Sequence, residues 1–195
     1  MIEKYIPRFL DILYDPTVLQ AVRLEEIRDA FHSNQIISKN RAIAAFDSLP
    51  TADRNVLYIG SWIGFLTHYI CDNYTNCTVT ELDIDVRCKP ISQRFNEGFT
   101  NYIASYTSDV ECFGYLNNYD TVINLSCEHI SSNWIDKLQK GTTVVLQTNN
   151  FKIPEHINTC ETLDEMREKY QLSETYYAEA TVLNAYTRFT LAGKR

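Results

Sequence analysis

Residues 124–130 bring the most reactive side chains of this chain next to one another. Glu128 supplies a carboxylate, and His129 supplies an imidazole that titrates near neutrality. Such an imidazole can act as a general base that takes the proton of a nucleophile, while a neighbouring carboxylate binds the substrate. Cys127 is more typical of a buried structural thiol. The alternative is a loop whose polar side chains only satisfy local hydrogen bonds.

A second segment, residues 55–67, predicts a short strand, a tight turn and the start of a helix. Gly60 and Gly64 hold the turn, and a glycine-bearing turn lets backbone N–H groups approach a ligand closely. The next apolar strand ends at Asp83, whose carboxylate is placed to bind ribose hydroxyls. The pair predicts a site for a nucleotide-like cofactor. The alternative is tight packing of a helix on a sheet, without a ligand.

These residues require a regular framework, and the rest of the chain predicts one. Apolar runs suited to buried parallel strands occur at residues 56–59, 78–82, 102–106, 121–125 and 143–146. Near the end, residues 176–183 and 186–191 lie too close in sequence for a crossover, so they must form an antiparallel hairpin. The sequence therefore predicts an α/β fold with a doubly wound, mostly parallel sheet that ends in an antiparallel hairpin.

The first fifty residues predict helices. Pro16 is placed to begin one helix, with Val18 and Phe31 among the apolar residues that recur at helical spacing. Ser38 is a good N-cap for a second helix. Because no Gly/Ser-rich linker follows, we expect residues 1–195 to form a single domain, with residues 1–50 as a helical extension packed on a core of residues 55–195.

Composition restricts the partners of the chain. Its 195 residues are 45% hydrophobic and 22% charged, as in ordinary globular proteins. The net charge of -7 disfavours a nucleic-acid substrate. No apolar run approaches the roughly 20 residues that span a membrane. The first residues also lack the pattern of a signal peptide, so we expect a cytoplasmic protein with reduced cysteines.

The sequence predicts no metal site. The four histidines are separated along the chain and form no His-x-x-x-His pair, and the six cysteines form no Cys-x-x-Cys pair. The histidines are His32, His68, His129 and His156.

From residue 55 onward, the order of these features resembles the class I S-adenosylmethionine-dependent methyltransferases, which are Rossmann-like. The resemblance implies the sheet order 3-2-1-4-5-7-6 with strand seven antiparallel, and S-adenosylmethionine bound across the carboxyl ends of the strands. It also implies roles for single residues. Gly60 and Gly64 match the outer glycines of the family's Gly-x-Gly-x-Gly turn, Asp83 the ribose ligand, Asp109 the acid near the adenine amino group, and Asn124 the position beside the reacting methyl.

Two departures from the family pattern make the chain an atypical member. Tyr58 stands where the family usually has an acid, two residues before the first glycine. Trp62 replaces the middle glycine, so we expect its indole either to point away or to form part of the pocket wall and contribute to cofactor binding.

The resemblance implies an enzyme that transfers a methyl group from S-adenosylmethionine to a small polar acceptor, with Asn124, Glu128 and His129 as catalytic residues. Transfer or cyclisation of the aminocarboxypropyl group is an alternative, because other carbons on the sulfur can also react. A nucleic-acid methyltransferase is another, although residues 124–127 lack the Asp/Asn-Pro-Pro-aromatic motif of many such enzymes. An inactive cofactor-binding subunit is the non-enzymatic alternative.

Overall fold

A seven-stranded sheet forms the centre of the molecule. The computed structural model describes residues 1–50 and 52–195. The strands are β1 (Arg54–Ile59), β2 (Cys77–Asp83), β3 (Tyr102–Thr107), β4 (Thr121–Asn124), β5 (Thr143–Asn149), β6 (Glu174–Val182) and β7 (Thr187–Lys194). Their order is β3-β2-β1-β4-β5-β7-β6, and β7 is antiparallel to both of its neighbours while the others are parallel. The predicted fold class, sheet order and closing hairpin are confirmed.

Helices cover both faces of this sheet. They are α1 (Ile6–Ile12), α2 (Pro16–Ala21), α3 (Leu24–Ala30), α4 (Ser33–Asp47), α5 (Phe65–Asn73), α6 (Cys88–Phe95) and α7 (Leu163–Tyr170). Across residues 1–50 and 52–195, no helix combines the length and apolar character that crossing a membrane requires.

The N-terminal helices differ from the predicted ones in their bounds. Ser38 lies inside α4 and does not cap it; His32 does, because its Nδ1 accepts the N–H of Asn34 at 3.3 Å. The apolar spacing that begins at Val18 is divided between α2 and α3, since Val22 and Arg23 have extended backbone. The carboxylate of Glu26 accepts the N–H of Arg23 at 3.0 Å and so starts a new helix there.

Short 3-10 turns take the place of α-helices in the connections after β3 and β4. These turns include Val110–Cys112, Cys127–His129 and Ser132–Lys137. The Asp109 carboxylate and the Ser131 hydroxyl accept N–H groups at the start of two of these turns. As a result, residues 124–130 stay at the carboxyl edge of the sheet.

The sheet separates two apolar cores. On one side, the ring of Phe9 in α1 packs against Phe31, Phe65 and Phe95, with ring centroids 5.4, 5.3 and 5.6 Å away. This contact joins the N-terminal helices to α5 and α6. On the other side, Trp134 is fully buried in a separate cluster.

Strand β3 forms one edge of the sheet. Its side chains are largely exposed, including Ile103 at 57% and Tyr106 at 48%. Strand β6 forms the opposite edge.

Candidate functional site

The turn after β1 is bonded directly to Asp83 at the end of β2. The N–H of Trp62 donates to Oδ2 of Asp83 at 2.8 Å, and the N–H of Asp85 donates to Oδ1 at 2.9 Å. Gly60, with φ of 63°, donates its N–H to the carbonyl of Leu82 at 2.8 Å. Burial raises the pKa of Asp83, and the two N–H donors partly offset this. The carboxylate is therefore held in one orientation beside the turn.

Gly64 has a different role from Gly60. Its φ is 73°, and a Cβ there would lie 2.3 Å from Oγ of Ser92, 2.6 Å from Nδ2 of Asn96 and 2.8 Å from Oε1 of Glu81. The start of α5 thus lies directly against α6 and β2. Because Gly64 has no Cβ, the turn can approach α6 and β2 this closely.

Glu81 is a buried carboxyl that the sequence analysis did not identify. Thr67 donates to its Oε1 at 2.5 Å, Tyr102 donates to Oε2 at 3.1 Å, and the Ser92 hydroxyl also donates to Oε2. Burial raises the pKa of Glu81 to about 7. The available signal was an acid inside a predicted buried strand, residues 78–82.

A cavity of about 430 Å³ opens at the carboxyl ends of β1 and β2. Four residues predicted to bind a cofactor line it: Gly60, Trp62, Asp83 and Asp109. Trp62 is part of the wall and does not point away from it. Open α/β sheets bind their ligands at this edge.

Asp109 lies at the start of the turn that follows β3. Its Oδ1 accepts the N–H of Glu111 at 2.9 Å and so caps the 3-10 turn Val110–Cys112. It also lines the first cavity.

A second cavity of about 200 Å³ begins where the first one ends. The two share Gly60, Trp62, Ser126 and His129. The second is polar, because Lys39 of α4 and Arg188 of β7 line it.

Lys39 lies over this junction. Its Nζ lies 5.4 Å from the centre of the Trp62 ring. Burial, together with the positive charge of Arg188, lowers the pKa of Lys39 to about 8. The positive charges of Lys39 and Arg188 repel each other, so a polar or anionic ligand between them is favoured.

Of the three predicted catalytic residues, two line the second cavity. Oε1 of Glu128 accepts from Nδ2 of Asn149 at 2.6 Å and from Nη1 of Arg188 at 2.7 Å. Glu128 and Arg188 are both buried, and their pairing was not predicted. His129 is exposed, and its Nδ1 lies 3.2 Å from the carbonyl of Glu155.

Asn124, the third predicted catalytic residue, is fully buried. Its Oδ1 accepts the N–H of Ser126 at 2.9 Å, which fixes the backbone after β4. Asn124 is not one of the described residues that line the two cavities.

His129 is the group best placed for proton transfer. A carbonyl can only accept a hydrogen bond, so in the neutral ring Nδ1 carries the proton and Nε2 has the lone pair. Cys127 is unsuited to act as a nucleophile, because burial raises the pKa of its thiol to about 12.

The sequence matches no protein-family model, and no curated protein matches it. Solved structures match along most of the chain. The cyclase SpnF aligns with a TM-score of 0.68 and 10% identity, covering 85% of this chain and 84% of its own. Magnesium protoporphyrin IX methyltransferase from Synechocystis PCC 6803, with bound SAH, aligns with a TM-score of 0.64 and 15% identity, covering 97% and 94%.

A SAM-dependent methyltransferase from Aquifex aeolicus aligns with a TM-score of 0.63 and 10% identity, covering 89% of this chain and 98% of its own. The chain has the class I methyltransferase fold. The architecture expected from the resemblance is therefore confirmed. The glycine turn and Asp83 lie at the carboxyl ends of β1 and β2, beside the first cavity.

Proposed function

We propose that this protein binds S-adenosylmethionine in the first cavity and transfers its methyl group to a small polar acceptor in the second. The observation that carries the proposal is the carboxylate of Asp83. Two backbone N–H groups fix it beside the Gly60 turn, in the wall of a cavity of about 430 Å³. That is the arrangement that a ribose diol requires.

The two ends of the first cavity suit the two ends of the cofactor. We assign the ribose hydroxyls to Asp83 and the adenine amino group to Asp109, because both residues line this cavity. The junction between the cavities, at Gly60, Trp62 and His129, takes the methionine end of the cofactor, whose carboxylate offsets the positive charge of Lys39. A similar structure, the magnesium protoporphyrin IX methyltransferase, was crystallised with SAH, which supports a cofactor of this class.

In the transfer step, a lone pair of the acceptor attacks the methyl carbon. The bond from that carbon to sulfur breaks, and its electrons return to sulfur as S-adenosylhomocysteine forms. Nε2 of His129 takes the proton that the acceptor loses. The protein mainly aligns the two reactants and excludes water, because the sulfonium already makes the methyl electrophilic.

Aminocarboxypropyl transfer or cyclisation is the second candidate. Trp62, which replaces the family's middle glycine, lies in the wall of both cavities, so the pocket surface at the junction differs from that of a typical member. Product identification separates the two, because methyl transfer leaves S-adenosylhomocysteine and aminocarboxypropyl chemistry leaves methylthioadenosine.

Calorimetric titration with S-adenosylmethionine and S-adenosylhomocysteine tests the site. We expect the Asp83→Asn variant to bind at least about tenfold more weakly, since a charged acceptor for the ribose hydroxyls is lost. Asp85→Asn is the matched control, because the same change two residues away alters a carboxylate that pairs with Arg87 outside the cavity. Absence of binding by the wild-type protein at millimolar cofactor overturns the proposal, as does equal binding by both variants.

A further inference from the structure

Three potential metal ligands meet on two loops at the carboxyl edge of the sheet. Glu128 and His129 follow β4, and His156 follows β5. One donor atom of each lies within 4.8 Å of the other two. The rings of His129 and His156 are 4.5 Å apart between centroids, at an angle of 82°. The expectation of no metal site depended on the separation of the histidines along the sequence. In the folded chain, His129 and His156 are neighbours.

Both imidazoles have the same hydrogen-bonding arrangement. Nδ1 of His129 lies 3.2 Å from the carbonyl of Glu155, and Nδ1 of His156 lies 2.6 Å from the carbonyl of Phe151. Since a carbonyl only accepts, the neutral form of each ring has its proton on Nδ1 and its lone pair on Nε2. A histidine that ligates a metal usually donates its other ring N–H to a carbonyl or carboxylate in this way.

Glu128 provides an independent observation. Its side chain is about 4% exposed, and its Oε1 accepts from Asn149 and Arg188. Within residues 1–50 and 52–195, however, no hydrogen-bond donor reaches the buried Oε2. A buried carboxylate oxygen without a partner costs free energy, so its environment indicates a missing ligand.

We propose that Glu128, His129 and His156 bind a divalent transition-metal ion through Oε2 and the two Nε2 atoms. Nε2 of His129 then has no lone pair for the acceptor's proton, so metal binding and proton transfer by His129 exclude each other. Two imidazole nitrogens and one carboxylate oxygen suit Mn²⁺, Fe²⁺, Co²⁺, Ni²⁺ or Zn²⁺ better than Mg²⁺ or Ca²⁺. Three protein ligands leave open coordination positions, as in catalytic rather than structural sites. All three residues line a cavity of about 440 Å³ into which those positions open.

The donor atoms must approach one another for this coordination. Ligands at 2.0–2.1 Å from a tetrahedral metal are about 3.4 Å apart. The exposed ring of His129 can make this approach by rotation, while Asn149 and Arg188 hold the Glu128 carboxylate in place.

The surrounding charges also favour a transition metal. Arg188 and Lys39 add positive charge near the site, and Asp29 adds one exposed carboxylate. The excess of positive charge disfavours cations that are held by charge alone. A transition metal is less affected, because it forms strong bonds to neutral imidazole.

Titration of the full-length protein with Co²⁺, without cofactor, tests the proposal by calorimetry and visible absorption. We expect one ion per chain, and at least tenfold weaker binding in His129→Ala and His156→Ala. His32→Asn is the matched control: His32 lines the same cavity but is the N-cap of α4, and asparagine preserves the cap. Far-UV circular dichroism checks that each variant is folded.

Unchanged Co²⁺ affinity in His156→Ala overturns the proposal. So does a thiolate-to-metal absorption band that disappears in Cys112→Ser, because Cys112 is the exposed cysteine and such a band would place the metal there. Neither result depends on S-adenosylmethionine, so failure of the metal site and failure of the proposed function are distinguishable.

Discussion

Glu81 has no contact with solvent, yet three hydroxyl groups donate to its carboxyl. These bonds favour the charged form, but the loss of hydration outweighs them and raises the pKa to about 7. In the sheet register Glu81 lies beside Tyr58, which stands where the methyltransferase resemblance places an acid. The carboxyl behind the glycine turn therefore comes from β2 instead of β1.

This carboxyl makes stability depend on pH. Its pKa is raised on folding from 4.5 to about 7, so its contribution is complete below pH 4.5 and is lost as pH rises through 7. The shift corresponds to about 3 kcal/mol. We expect Glu81→Gln to gain up to that amount relative to the wild type over this range, as measured by urea denaturation at each pH.

Glu81→Gln must be compared with the wild type at each pH, because titration of His68 changes the stability of both proteins in the opposite direction to titration of Glu81. Burial lowers the pKa of His68 to about 4, so the stability that it contributes is lost as pH falls below 6.5. The exposed substitution Glu168→Gln serves as the control. A difference between Glu81→Gln and wild type that stays constant with pH would contradict the assignment.

The sequence located the residues whose backbone position decides their role. Gly60, Asp83 and Asp109 all follow predicted strands, and the ends of parallel strands meet at one edge of a sheet. It could not locate the roles that depend on side-chain direction. Asn124 turns back to its own loop, and Arg188 reaches Glu128 from a strand far along the chain.

At the scale of elements, the packing of α5 on α6 depends on Gly64. We expect Gly64→Ala to destabilise the protein by more than the 1–2 kcal/mol typical of a left-handed residue, because its Cβ would also collide with Ser92 and Asn96. Gly98→Ala is the matched control: its φ is also positive, at 97°, but no atom lies within 4 Å of the added Cβ. Equal losses in urea denaturation would show that the close approach does not matter.

The strands were more predictable than the helices. Each apolar run between turn residues is short, so its length alone indicates a strand. In residues 1–50, helical spacing continues across Val22 and Arg23, where the backbone is extended and α3 begins. Spacing alone does not show such a break, because a local hydrogen bond to Glu26 decides it.

At the scale of the molecule, the contacts of Phe9 bear on whether residues 1–50 belong to one domain with the rest. We expect Phe9→Ala to cost about 3–5 kcal/mol, because a fully buried aromatic ring is removed. If the chain unfolds as one unit, this loss also shifts the transition of Trp134, which lies in the other core.

The measurement uses urea denaturation in a Trp62→Phe background, followed by tryptophan fluorescence and far-UV circular dichroism. Trp134 is then the one remaining tryptophan. Phe151→Ala, at a residue that is 40% exposed, is the control. A Trp134 transition that does not move in Phe9→Ala would mean that the N-terminal helices unfold separately.

The two edges of the sheet differ in how they are protected. The outer strand β6 carries Glu174 and Glu179, and charges on an edge discourage pairing with another chain. Strand β3 carries no charge, proline or glycine along Tyr102–Thr107, and within residues 1–50 and 52–195 no strand pairs with its outer N–H and C=O groups. Aggregation of concentrated or partly unfolded protein is therefore expected to start at β3, by the addition of strands from other molecules to that edge.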